Sequence, residues 1–123
     1  MRPHEKLDVW RAAVDFVVTI YKATESFPKE EKFGLTSQVR RAAISVPANI
    51  AEGAARRSPK EFAHFISNAQ GSASELETEL LIAHRLGYLR ESVYLEMRDT
   101  LDKIGRMLIG LTRHLEKAVN RKP

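Results

Sequence analysis

No cysteine occurs among the 123 residues, so disulfides, thiolate metal sites and a cysteine nucleophile are excluded, and only four histidines remain for imidazole chemistry. Glycine is scarce at six residues and proline at five, and neither Asn-Gly nor Asp-Gly is present to close a β-hairpin. No apolar run exceeds the four residues Leu80 to Ala83, whereas a membrane span needs about 20 and a signal-peptide core about 7–15. A cytoplasmic location is the expectation. Nor does one sign of charge dominate. Twenty basic and 16 acidic side chains leave +4, with a pI near 9.6, which permits a polyanionic partner without demanding one. What is present suffices for a core: 43% hydrophobic and 29% charged residues argue against disorder, and the length suits a single domain over 1–123.

Apolar residues recur at three and four rather than two, so the chain reads as all-α. A first helix is expected over roughly residues 6–25, with Trp10, Ala13, Val14, Val17 and Tyr21 as its buried stripe, stopped by Ser26-Phe27-Pro28. A second carries Leu35, Val39, Ala42, Val46, Ile50 and Gly53. Pro47 falls in its interior and should kink it, unless two shorter helices meet there. Ser58-Pro59-Lys60-Glu61 is a capping box that opens a third helix, with Phe62, Ile66, Ala69, Ala73, Leu76, Leu80 and Ala83 as its seam and Gly87 as a left-handed cap. A fourth repeats the four-three alternation through Met97, Leu101, Ile104, Leu108, Leu111, Leu115 and Ala118. Short links then give an up-down-up-down antiparallel four-helix bundle with a kinked second helix.

That second helix has a further face of small or apolar residues, Ile44, Pro47, Ala48, Ala51 and Ala55, and between its faces a polar stripe of Gln38, Arg41, Ser45, Asn49, Glu52 and Arg56. A helix apolar on two sides favours self-association over mere helix propensity, since small residues allow close helix approach and Gly71, Ser72 and Ser74 offer a similar surface on the third helix. The polar groups could satisfy one another or a neighbouring chain.

The run Ala43-Ile44-Ser45-Val46-Pro47-Ala48-Asn49-Ile50-Ala51-Glu52-Gly53, followed by Arg56, resembles the four-helix-bundle proteins named for ribosomal RNA intervening sequences, also called S23 ribosomal proteins. The resemblance extends through Leu7-Asp8-Val9-Trp10, Phe27-Pro28, Phe33-Gly34-Leu35, Gln38 with Arg40-Arg41, and Ala69-Gln70-Gly71-Ser72 with Glu75-Leu76. It implies a bundle that assembles into a ring of five, a relation to the accessory proteins of diversity-generating retroelements, a role with nucleic acid, and no enzymatic activity. Self-association follows from the second helix. The count of five is carried by the resemblance alone.

The residues point to no enzyme or cofactor. Glu61-Phe62-Ala63-His64 is half of a di-iron pattern whose second half is missing, and Glu61 already has a task in the capping box. His84 and His114 come with no arrangement that would specify a nucleophile and its base, and there is no phosphate loop. The cations are better placed. Arg40, Arg41, Arg56, Arg57 and Lys60 against Glu52 leave +4 over residues 40–60. Lys103, Arg106, Arg113, Lys117 and Arg121 share one outward stripe, and with Lys122 against Glu116 they leave +5 over 103–122. Residues 61–87, with four glutamates against Arg85, carry −3. Such a stripe suits phosphate tracking and would be multiplied by assembly, although it also complements the C-terminal end of its own helix. Few aromatics accompany it, so base stacking is not expected there.

The expected function is therefore a non-enzymatic, oligomeric binder of RNA or DNA backbone, RNA foremost, with Arg40, Arg56, Arg57 and the helix-four cations as contacts. Gln38, Arg41, Ser45, Ala48, Asn49, Ala51 and Glu52 are expected at an oligomer interface or in a polar network. The alternative is a scaffold docking a protein partner such as a reverse transcriptase.

Overall fold

The computed structural model describes residues 1–121, and all regular structure among them is helical: α1 (Asp8–Thr24), α2 (Leu35–Ala54), α3 (Pro59–Arg85) and α4 (Glu91–Asn120), with single 3-10 turns at Pro3–Lys6 and Lys29–Glu31. Each helix packs on its neighbours in the chain, and α1 closes back on α4. The direction of packing can be read from side-chain pairs. Gly53 near the end of α2 lies against Phe62 and Phe65 near the start of α3, while Ser45 meets Ser72, so the two helices run antiparallel. No helix among the described residues is long and apolar enough to cross a membrane.

The core follows the expected seams on three helices. Val39, Ala42, Val46 and Ile50 of α2, Ile66 to Ala83 at the expected positions of α3, and Met97, Leu101, Ile104, Leu108 and Leu115 of α4 are buried together. On α1 the expected stripe is turned by one position. Val9, Ala13, Phe16 and Ile20 are buried, while Trp10, Val14 and Val17 flank them and Tyr21 is exposed. The reason is that α1 is apolar over a wide sector and periodicity alone does not find its centre.

α2 runs unbroken through Pro47, which rules out two shorter helices. Pro47 is itself buried and does not belong to the outward small-residue face, where Ile44, Ala48 and Ala55 are exposed and Ala51 is half-buried. The proline nitrogen carries no hydrogen for the Ala43 carbonyl, a loss offset by burying its ring on the core side.

The helix ends are locally encoded. The Glu61 amide donates to Ser58 Oγ at 3.2 Å, but among the described residues the reciprocal bond from the Ser58 amide to the Glu61 carboxylate is not made, so the expected capping box is only its hydroxyl half. At the other end of α3, Gly87 has φ +81°, the Tyr88 amide donates to the Ala83 carbonyl and the Gly87 amide to that of His84. This is the left-handed cap expected of that glycine.

Candidate nucleic-acid interface

Helix α4 presents its cations as one exposed strip. Lys103, Arg106, Arg113, Lys117 and Arg121 are all exposed, within a sector of roughly 80° at 100° per residue. Lys103 is tied to Asp99 at 3.3 Å. Among the described residues the other four form no ion pair. Lys122, counted in the sequence balance, lies outside the described residues. Because the apolar seam of α4 is on the opposite side, nothing in the fold itself requires these charges.

The cations of α2 and of the turn that follows it are placed differently. Arg40 is half-buried and bridges two helices: its Nε donates to Thr24 Oγ1 at 2.8 Å, its Nη2 to the Tyr21 carbonyl at 3.2 Å, and its guanidinium lies 4.4 Å from the Tyr21 ring centroid. Arg56 pairs with Glu52 one turn earlier and stacks over Phe65 of α3 at 4.8 Å. Arg57 is exposed and, among the described residues, in no ion pair. The fold thus brings the α4 cations together, separates them from those of α2, and gives Arg40 and Arg56 partners within the chain.

Much of the α2 polar stripe is satisfied along the α2–α3 seam. Asn49 Nδ2 donates to the Ser45 carbonyl at 2.8 Å and to its Oγ at 3.0 Å, and Ser72 Oγ of α3 donates to Ser45 Oγ at 2.9 Å. Gln38 and Arg41 are exposed further along.

Near them sits a residue that the seam pattern passed over. Glu79 of α3 is only 6% exposed, and its Oε1 has no hydrogen-bond partner among the described residues. Burial, reinforced by the neighbouring Glu75 carboxylate and opposed by Arg41, pushes its carboxyl up to about 7. Its signal was its spacing: position 79 is three beyond Leu76 and four before Ala83, on the buried side.

Phe33 was also missed, being 90% exposed on the link between α1 and α2. The histidines are spread apart. His84 Nδ1 lies 3.1 Å from the Leu89 carbonyl and its ring stacks on Tyr94, and His64 packs edge-on to Phe65. Among the described residues no three His, Asp or Glu side chains are gathered as metal ligands would be.

The chain is similar to known proteins over most of its length. The family described as 23S rRNA-intervening sequence protein matches residues 5–110. A crystal structure of a protein of unknown function from the S23 ribosomal protein family of Bacteroides thetaiotaomicron is 25% identical and superposes with a TM-score of 0.76, covering 85% of this chain and 97% of that one. No curated protein matches the chain.

Proposed function

The chain belongs to the 23S rRNA-intervening sequence protein family, and we propose that it is a non-enzymatic protein that binds the phosphate backbone of nucleic acid, RNA foremost, as an assembly of identical copies. The observation that carries this reading is the α4 strip, where Arg106, Arg113, Lys117 and Arg121 project together without ion-pair partners among the described residues. A cation unpaired within its own chain keeps its full attraction for phosphate, and each phosphate neutralised releases counterions. Contacts of this kind position a backbone without reading its sequence. The exposed small and apolar residues Ile44 and Ala48 of α2, with Ala55 just past its end, support self-association, which would repeat the strip around the assembly. Five copies is the number implied by the family resemblance.

The test is the variant in which Arg106, Arg113 and Lys117 are all replaced by glutamine, which keeps helix propensity while removing three charges per chain. Affinity for duplex RNA should fall, the slope of log affinity against log salt should drop by about 0.9 for each of these cations that contacts a phosphate, and unrelated sequences should lose alike. Light scattering should show parent and variant with the same mass, a multiple of one chain. Unchanged binding at every salt concentration would leave the strip as a solvated face. A parent that binds neither RNA nor DNA at low salt would favour a scaffold that docks a protein partner.

A further inference from the structure

The link before α2 carries a second surface with a different chemistry. Between α1 and the start of α2 lies an open cleft of about 430 Å³ whose lining includes Tyr21, Lys32, Phe33, Arg40, Arg41 and Ile44. Among the described residues three cations face it and no carboxylate does; the hydroxyl residues Thr36 and Ser37 complete the wall. A neighbouring cleft shares Lys32, Thr36 and Arg40 and is lined further along by Lys29 and by one carboxylate, Glu25.

Phe33 is the unusual member. Burying a phenylalanine is worth roughly 1.5–3 kcal/mol, yet this ring is 90% exposed and touched on one side by the Lys32 ammonium, 5.4 Å from its centroid. The backbone that carries it is held in place. The Lys32 amide donates to the Lys29 carbonyl, the Gly34 amide to that of Glu31, and Glu31 Oε1 accepts from the Leu35 amide while Oε2 accepts from Tyr88. Both oxygens of the Glu31 carboxylate are therefore taken up by the fold, and the ring is presented on a hydrogen-bonded turn. The Tyr21 ring has the Arg40 guanidinium over it. Phe33 is the one with an open face.

An exposed ring set among cations is the combination that holds single-stranded nucleic acid, in which the base stacks and the adjoining phosphate is neutralised. We propose that this cleft is a nucleotide subsite: Phe33 stacks on an unpaired base of single-stranded nucleic acid, and Lys32 and Arg41 hold the adjacent phosphate. Arg40, engaged with Thr24 and Tyr21, fixes the wall of the cleft. The proposal rests on the reading of this protein as a nucleic-acid binder and adds to it a preference for single strands, since paired bases in a duplex cannot reach the ring.

The test compares oligouridylate with a duplex RNA of equal length at one low salt concentration. Phe33→Ala should weaken oligouridylate binding about tenfold and leave duplex binding unchanged, and Phe33→Trp should retain the single-strand affinity. In a Trp10→Phe background, emission from the tryptophan of Phe33→Trp should be quenched by oligouridylate and not by heparin, a polyanion without bases. Because the side chain is exposed, Phe33→Ala should melt with the parent. Equal affinities of Phe33→Ala and the parent for oligouridylate would overturn the subsite while leaving the α4 strip standing. Conversely, an effect of Phe33→Ala with none from the triple glutamine variant would retain the subsite and remove the strip. A fall in assembly mass on Phe33→Ala would overturn the proposal in favour of a contact between copies, and a parent that binds no nucleic acid would overturn both readings.

Discussion

Helix α2, with the turn that follows it, and helix α4 both carry arginines at helical spacing and both contain glycine, but the surroundings of these residues differ. On α2, Arg40 is held by Thr24 and Tyr21, and a Cβ on Gly53 would come within 2.8 Å of Phe62 and Phe65, while Arg56, just past the end of the helix, is held by Glu52 and Phe65. On α4, Arg106, Arg113 and Lys117 have no ionic partner among the described residues, and Cβ atoms on Gly105 and Gly110 would meet nothing within 4 Å. The same residue types are thus structural on one helix and unconstrained by the fold on the other. What separates them is whether a ring, hydroxyl, carbonyl or carboxylate of the same chain engages the guanidinium. Function is better sought where the fold makes no claim on a charged side chain.

The largest test of this contrast is on the α2–α3 seam, at Glu79. Its carboxyl, raised from an ordinary value of 4.5 to about 7 in the folded protein, is favoured by folding when protonated. Its contribution to stability is fully present below pH 4.5 and lost as the pH rises to about 7, a change of up to about 3 kcal/mol from a shift of this size. Glu79→Gln, neutral throughout, should therefore be more stable than the parent at pH 8 by up to that amount and nearly equal to it at pH 4.5. Urea midpoints at the two pH values check this, and a constant difference between them would show that folding leaves the Glu79 carboxyl unshifted.

How much of this could be read from sequence depended on the kind of information required. The seams of α2, α3 and α4 were legible because their four-three spacing is bordered by charged residues that mark its edges, as with Lys103 and Arg106 beside Ile104. α1 was misplaced by one position because Trp10, Val14 and Val17 form a second apolar row beside Val9, Ala13, Phe16 and Ile20, leaving no polar edge between them. The cap at Gly87 was legible because it is local. By contrast, the roles of Arg40 and Arg56 depend on Tyr21, Thr24 and Phe65, which only packing brings near, and the exposure of Phe33 reverses what an aromatic in a short link ordinarily implies. The strip on α4 was legible as an arrangement, since one helix suffices to align it.

The next effect in size is expected at Arg40. Arg40→Ala removes its hydrogen bonds to Thr24 Oγ1 and the Tyr21 carbonyl together with the stacking on Tyr21, and should cost about 2 kcal/mol in chemical denaturation. If α2 and α4 differ as described, duplex RNA affinity of the folded variant should stay that of the parent. A loss of duplex affinity as large as that of the triple glutamine variant would erase the distinction. A smaller cost is expected of Gly53→Ala. Overpacking against Phe62 and Phe65, partly offset by the better helix propensity of alanine, should leave a net loss of about 1–2 kcal/mol in the denaturant midpoint.

The smallest effect has the opposite sign and sharpens the comparison most. Gly110 lies on the α4 strip, four residues after Arg106 and three before Arg113, and the space around it is open. In an exposed helix interior, Gly→Ala restricts the unfolded chain and removes a poor helix former, so Gly110→Ala should stabilise the protein by about 0.8–1 kcal/mol. The same chemical change therefore weakens α2 and strengthens α4, which a pair of denaturation curves can establish. Binding carries the rest of the argument. A methyl group in the middle of the strip leaves every charge in place, so ordinary side-chain contacts to phosphate should keep their affinity and salt slope. If Gly110→Ala instead gains stability while losing affinity, nucleic acid approaches the helix backbone at this position, and the glycine is retained to admit it at the expense of stability.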